Sequence, residues 1–134
     1  MSRGRVVVLG ARGFIGRHLC RQLVDAGHDV VGTSRHPERA PAAAHAWVRA
    51  DVGDPASLDA ALVGATAVVY LVHQMRADVA DLAEAEAASA RNVLAAAERA
   101  GVGRIVYLGA PRPEGEVSHH IHARLRTGEI LRSG

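Results

Sequence analysis

Residues 6–16 read Val-Val-Val-Leu-Gly-Ala-Arg-Gly-Phe-Ile-Gly. Four consecutive apolar residues, Val6 to Leu9, suit a strand buried on both faces. Glycines follow at Gly10, Gly13 and Gly16, a G-x-x-G-x-x-G spacing. Ile15, Leu19, Leu23 and Val24 then fall on one helical stripe. The stretch predicts strand, glycine turn and helix, the context that gives such a spacing mechanical meaning. Gly10 lets the chain reverse after the strand. Gly13, with no Cβ, lets a pyrophosphate approach the main chain, and Gly16 lets the helix sit close on the strand. The helix start offers open N–H groups and the positive end of a dipole, which together suit an anion.

Working outward, the 134 residues are expected to form one domain with its own core, 1–134. Hydrophobic residues make up 49% but aromatics only 3%, so the core should be aliphatic strands under alanine-rich helices. The formal net charge is +2, and no basic tract is interleaved with aromatics, so nucleic acid is not an expected partner. Cys20 is the only cysteine, which rules out an internal disulfide and fits a cytoplasmic setting. Only four apolar residues precede Gly10, too few for a signal segment or a membrane span, so no membrane partner is expected. All 16 basic residues are arginine, so no mechanism that needs a lysine is open to this chain by itself.

The rest of the chain continues the rhythm. A helix over Phe14–Ala26 stops at Gly27, and Asp29–Thr33 is a second strand. A polar loop, Ser34-Arg35-His36-Pro37-Glu38-Arg39, leads to a third strand over Ala46–Ala50. Asp54 and Pro55 open a short helix that turns Leu58, Ala61 and Leu62 inward. Ala67–Val72 is a fourth strand. A long helix over Asp78–Ala100 stops at Gly101, with Ala85, Ser89, Asn92, Val93 and Ala96 against the sheet and Glu84 and Glu86 at the surface. Arg104–Leu108 is a fifth strand, and Ser118 caps a final helix to Arg132. This β-α-β-β-α-β-α-β-α order predicts a doubly wound, Rossmann-type α/β fold with helices on both faces. Right-handed crossovers give the parallel sheet the order 3-2-1-4-5. The crevice then lies at the carboxyl ends of strands 1 and 4. It should gather Gly10–Gly16, Thr33–Arg35, Asp51–Val52, Leu71–His73 and Gly109–Pro111.

Such a crevice takes a dinucleotide, and an acidic residue after strand 2 ordinarily marks NAD. Here that place holds Thr33-Ser34-Arg35, with no acid. The planar fork of Arg35 suits a 2′-phosphate, with Arg12 on the other side and Arg39 further off. The expected cofactor is therefore NADP(H), with NAD(H) as the alternative.

These landmarks resemble the extended or atypical short-chain dehydrogenase/reductases, in particular their NmrA-like NAD(P)H-binding group. The resemblance rests on Gly-Ala-Arg-Gly-Phe-Ile-Gly at 10–16, Asp51-Val52, Val68 to His73, Ala88 to Val102, Arg104 to Ala110 and Ile121 to Gly134. It implies that Gly10, Arg12, Gly13, Phe14, Ile15, Gly16, Ser34 and Arg35 line the phosphate and ribose side. Asp51 and Val52 would face the adenine. Leu71, Val72 and His73 would border the ribose and nicotinamide. Members that reduce carbonyls carry a Tyr-x-x-x-Lys pair on the helix after strand 5, with a serine near the strand's end. Tyrosine gives the proton, and lysine lowers its pKa. Here the pair reads His120-x-x-x-Arg124, the strand ends in Gly109-Ala110, and the tyrosines, Tyr70 and Tyr107, fall inside strands. Arginine keeps its charge at ordinary pH and is no tunable base.

Family members continue past the equivalent of Gly134 into a part that builds the substrate pocket. The chain is thus expected to hold the cofactor part, with an exposed strand-5 edge that favours self-association or a completing subunit. The implied activity is hydride transfer to a small carbonyl or quinone-like acceptor. The alternative is a non-enzymatic NAD(P)H-sensing module. His119, His120, His122 and His73 lack a recognisable metal-ligand spacing, so no metal is expected. Cys20, mid-helix, reads as packing rather than as a nucleophile.

Overall fold

The valine run forms β1 (Arg5–Leu9), whose Val7 and Val8 are wholly buried because β1 is the centre of a five-stranded sheet. A computed structural model describes residues 4–37, 44, 46–72, 79–108 and 119–132, with only the backbone for 79–83 and 119–125. The remaining elements are α1 (Phe14–Asp25), β2 (Asp29–Ser34), β3 (Ala46–Arg49), α2 (Pro55–Ala61), β4 (Ala67–Tyr70), α3 (Val79–Ala100), β5 (Arg104–Tyr107) and α4 (His119–Arg132). The sheet is parallel throughout, in the order β3-β2-β1-β4-β5.

Alternation along the strands splits the core into two layers. Val7, Leu9, Val31, Val68 and Tyr70 face α2, α3 and α4. Val6, Val8, Val30 and Val69 face α1, with Trp47 at the β3 end. Helices therefore cover both faces, as the element order requires. Leu58, Ala61 and Leu62 of α2 point inward as expected. Both α1 and α3 end in Schellman motifs. His28 N–H donates to Leu23 O and Gly27 N–H to Val24 O; Val102 N–H donates to Ala97 O and Gly101 N–H to Glu98 O.

The structure corrects several local expectations. β4 and β5 stop at Tyr70 and Tyr107, earlier than Val72 and Leu108, because the β1 ladder ends at Leu9, opposite Tyr70. β3 likewise stops at Arg49, and β2 runs on to Ser34. Ile15 is 52% exposed and leaves the buried stripe, whose closest contacts fall instead at Gly16 and Cys20. Glu86 is not at the surface: it is 4% exposed, because α3 packs on α2, on α4 and on the sheet at once. Asp54 sits at the N-cap of α2 without a side-chain cap bond; its carboxylate pairs with Arg49 at 3.5 Å.

The decisive contact is α1 on β1. A Cβ placed at Gly16 would stand 2.4 Å from Gly10 O and 2.6 Å from Ala11 Cα, both backbone atoms. Gly10 has φ +87°, and a Cβ there would meet the Leu71 backbone at 3.0 Å. Gly13 differs, since its nearest neighbour would be Gly10 O at 3.6 Å. Gly16→Ala is expected to cost about 1–3 kcal/mol or more, and Gly13→Ala to stay within about 0.5 kcal/mol. Chemical denaturation of the two variants measures the difference.

Candidate functional site

The carboxyl ends of β1 and β4 meet where the winding reverses. Leu71 N–H donates to Leu9 O at 2.9 Å, and Gly10 lies against Leu71. Around this junction the sequence-predicted residues that are described gather along one crest. Gly13 occupies the N-cap of α1 and no side chain caps the helix. Arg17 N–H donates to Gly13 O, so hydrogen bonding within α1 begins there. Among the described residues no side chain caps the earlier N–H groups, and a Cβ at Gly13 would make only ordinary contact, with Gly10 O at 3.6 Å. Arg12, Gly13, Phe14 and Ile15 are exposed above Gly16, which is buried. This turn fits a diphosphate: it offers donors, a helix dipole and close access to the main chain.

The second part of the crest is the end of β2. Thr33 Oγ1 donates to Val8 O at 3.0 Å and ties β2 to β1 in the interior. Ser34 Oγ accepts from His36 N–H at 3.0 Å, which folds the chain back after the strand. Arg35 is the first residue beyond β2 and is exposed. No carboxylate among the described residues pairs with it.

The third part is the turn after β3. Ala50 N–H donates to Ser34 O at 3.1 Å, which carries Asp51 up to the level of Arg35. Gly53 N–H donates to Asp51 Oδ1 at 2.8 Å. Val52 sends its side chain into the core at 5% exposure, so Asp51 and the turn's backbone are what this segment presents to the crevice. Ser57 Oγ accepts from Asp51 N–H, and it lies within hydrogen-bond reach of the Asp54 and Asp51 carbonyls. Asn92 Nδ2, from α3, donates to Val52 O at 2.9 Å. Sequence reasoning missed this last link; its signal was a lone amide in an alanine-rich helix, read there as packing.

On the β4 side, Leu71 and Val72 are half-buried on opposite faces. His73, Arg39 and Gly109–Pro111 lie outside the described residues. An apolar groove of about 450 Å³ runs between α1 and β4–β5, lined by Phe14, Ile15, Leu19, Leu71, Val106 and Leu108.

Comparison with known proteins places the chain in a family. A family model described as NAD(P)H-binding matches residues 10–132. The chain belongs to that NAD(P)H-binding family. The 2-alkyl-3-oxoalkanoate reductase of Stenotrophomonas maltophilia is 30% identical over 120 residues, covering 87% of this chain and 36% of the reductase. Among solved structures, the Citrobacter sp. triphenylmethane reductase superposes with a TM-score of 0.80 at 25% identity, over 96% of this chain and 45% of that one. That reductase has also been solved with NADP(H). An Agrobacterium tumefaciens short-chain dehydrogenase/reductase superfamily protein with bound NAD gives a TM-score of 0.78 at 25% identity, over 96% and 44%. This NAD(P)H-binding chain therefore spans less than half the length of each of these relatives.

Beside the crest, the chain's own chemistry is restrained. His120 and Arg124 lie on α4, whose backbone packs along α3, but their side chains lie outside the described residues. The same holds for His119 and His122. Tyr70 is buried in β4 with its ring 5.5 Å from that of Tyr107. Burial first, then the charges of Glu86 and Tyr107, push the Tyr70 hydroxyl well above the usual range for tyrosine. Its proton is held more tightly than that of a free tyrosine. Cys20 is fully buried, and burial pushes its thiol up to about 11.

A thiol with a raised pKa stays protonated in the native chain while the unfolded chain ionises. Its stabilising contribution is present below pH 9, the ordinary value, and is lost as pH rises towards about 11. Stability measured across that window should fall, and less steeply in Cys20→Ala. Iodoacetamide at pH 8 should label the unfolded chain but not the native one.

Proposed function

We propose that the crest binds NADP(H) in preference to NAD(H). The observation that carries this reading is the position of Arg35: exposed, first after β2, level with Asp51, in the place where an acidic residue would take a ribose diol. A guanidinium there offers a rigid fork of donors to a 2′-phosphate. Arg12, exposed in the glycine turn, adds a second positive charge. The uncapped start of α1 takes the diphosphate, Asp51 stands on the adenine side, and Leu71 and Val72 on the nicotinamide side. NADPH, when bound, supplies a hydride, and we assign the chain to a reductase acting on a small carbonyl or quinone-like acceptor.

One observation favours a second reading. Tyr70 and Tyr107 lie in strands β4 and β5 against the α3–α4 layer, and the chain has no lysine. Within residues 1–134 the usual tyrosine–lysine proton relay therefore has no counterpart. A chain that keeps the binding crest without that relay suits a non-enzymatic NAD(P)H sensor.

Calorimetric titration with NADPH and NADH separates these ideas. NADPH should bind more tightly, and Arg35→Ala should weaken it about 10- to 100-fold, the span expected for charged hydrogen bonds, while leaving NADH unchanged. Equal affinities for the two would overturn the 2′-phosphate assignment. Loss of absorbance at 340 nm with quinone or aldehyde acceptors supports the reductase. Tight binding with no turnover supports the sensor.

A further inference from the structure

We propose that Asn92 is the positioning residue for the adenine side of the site, acting on the Asp51 carboxylate through a single peptide unit. The inference rests on the dinucleotide-binding reading above. Asn92 Nδ2 donates to Val52 O at 2.9 Å, across 40 residues of sequence. That carbonyl belongs to the same planar peptide as the N–H of Gly53. The Gly53 N–H donates in turn to Asp51 Oδ1 at 2.8 Å. The carbonyl and N–H of one peptide point in opposite directions, so fixing one end fixes the other. Asn92 thereby sets the tilt of the 52–53 peptide, and the peptide sets the carboxylate.

The other bonds of this turn do not replace it. Asp51 N–H to Ser57 Oγ, Ser57 Oγ to Asp54 O and Asp54 N–H to Asp51 O all close within residues 51–57. They shape the turn without orienting the 52–53 peptide relative to α3. The Val52 side chain anchors the turn in the core, yet a buried side chain leaves rotation about the adjoining peptide open. Asn92 is half-buried on a helix face whose buried neighbours include Ser89, Val93 and Ala96. An amide serves there because it supplies a donor that alanine or aspartate lacks. A carboxylate held in this way suits a ligand edge that carries donors, such as the exocyclic amine of adenine.

The test is a double-mutant cycle read by calorimetry with NADPH and with ADP, using the whole chain. Asn92→Asp keeps the size and removes the donor; Asn92→Ser replaces it if the aspartate variant does not fold by circular dichroism. The Asn92 variant should bind both ligands about fivefold more weakly in the wild-type background, the scale of one hydrogen bond. In an Asp51→Ala background the same substitution should change affinity less than twofold. Binding of nicotinamide mononucleotide should not change in either. Unchanged affinity in the wild-type background, or equal losses in both backgrounds, would overturn the positioning role. Failure of the wild-type chain to bind NADPH at all would instead overturn the dinucleotide reading itself.

Discussion

The approach of Gly16 to the backbone of Gly10 and Ala11 is the constraint on which the site depends. A helix can sit this close to a strand only where neither carries a side chain in between. That closeness has two effects at once. It rotates α1 so that Gly16 and Cys20 face the sheet, and it brings the open end of the helix directly above the last residue of β1. A bulkier helix position would move the uncapped N–H groups off the crest. Binding geometry and core packing are therefore one contact seen from two sides, and the buried, unreactive Cys20 belongs to the packing side.

The crest gathers its parts because the sheet is parallel and the winding reverses at β1. All five strands end on the same side, so the glycine turn, the end of β2 and the turn after β3 arrive together. The interior links between them are short. Thr33 reaches the Val8 carbonyl, Ala50 reaches Ser34, and Leu71 reaches Leu9. Each bond joins one strand's end to its neighbour, so the described parts of the crest are held together by the sheet itself.

Most of this was legible in the sequence, for physical reasons that also mark its limits. Val6 to Leu9 could only be an interior strand, and the spacing of Gly10, Gly13 and Gly16 dictated turn and close packing. The sheet order followed from the handedness of crossovers, and Gly27 and Gly101 do end their helices. The misreadings have a common origin. Periodicity reports which residues could share a face but not how many neighbours a helix has. Ile15 fits the apolar stripe of α1, yet the glycine contact rotates it out over the groove. Glu86 looks like a surface charge until α3 is seen wedged among α2, α4 and the sheet. The Asn92–Val52 bond joins residues 40 apart, and no local pattern encodes a partner at that distance.

The sheet is also uneven from side to side. β1 is sealed between two helical layers, whereas β5 ends the sheet with Val106 and Leu108 about half exposed and the groove beneath them. Local opening costs least where few apolar contacts must be broken. Both edges of the sheet, β3 and β5, therefore open more readily than the strands between them, and β1 opens last. The firmest backbone of the fold thus lies directly under Gly10, and firmness falls towards either margin of the sheet.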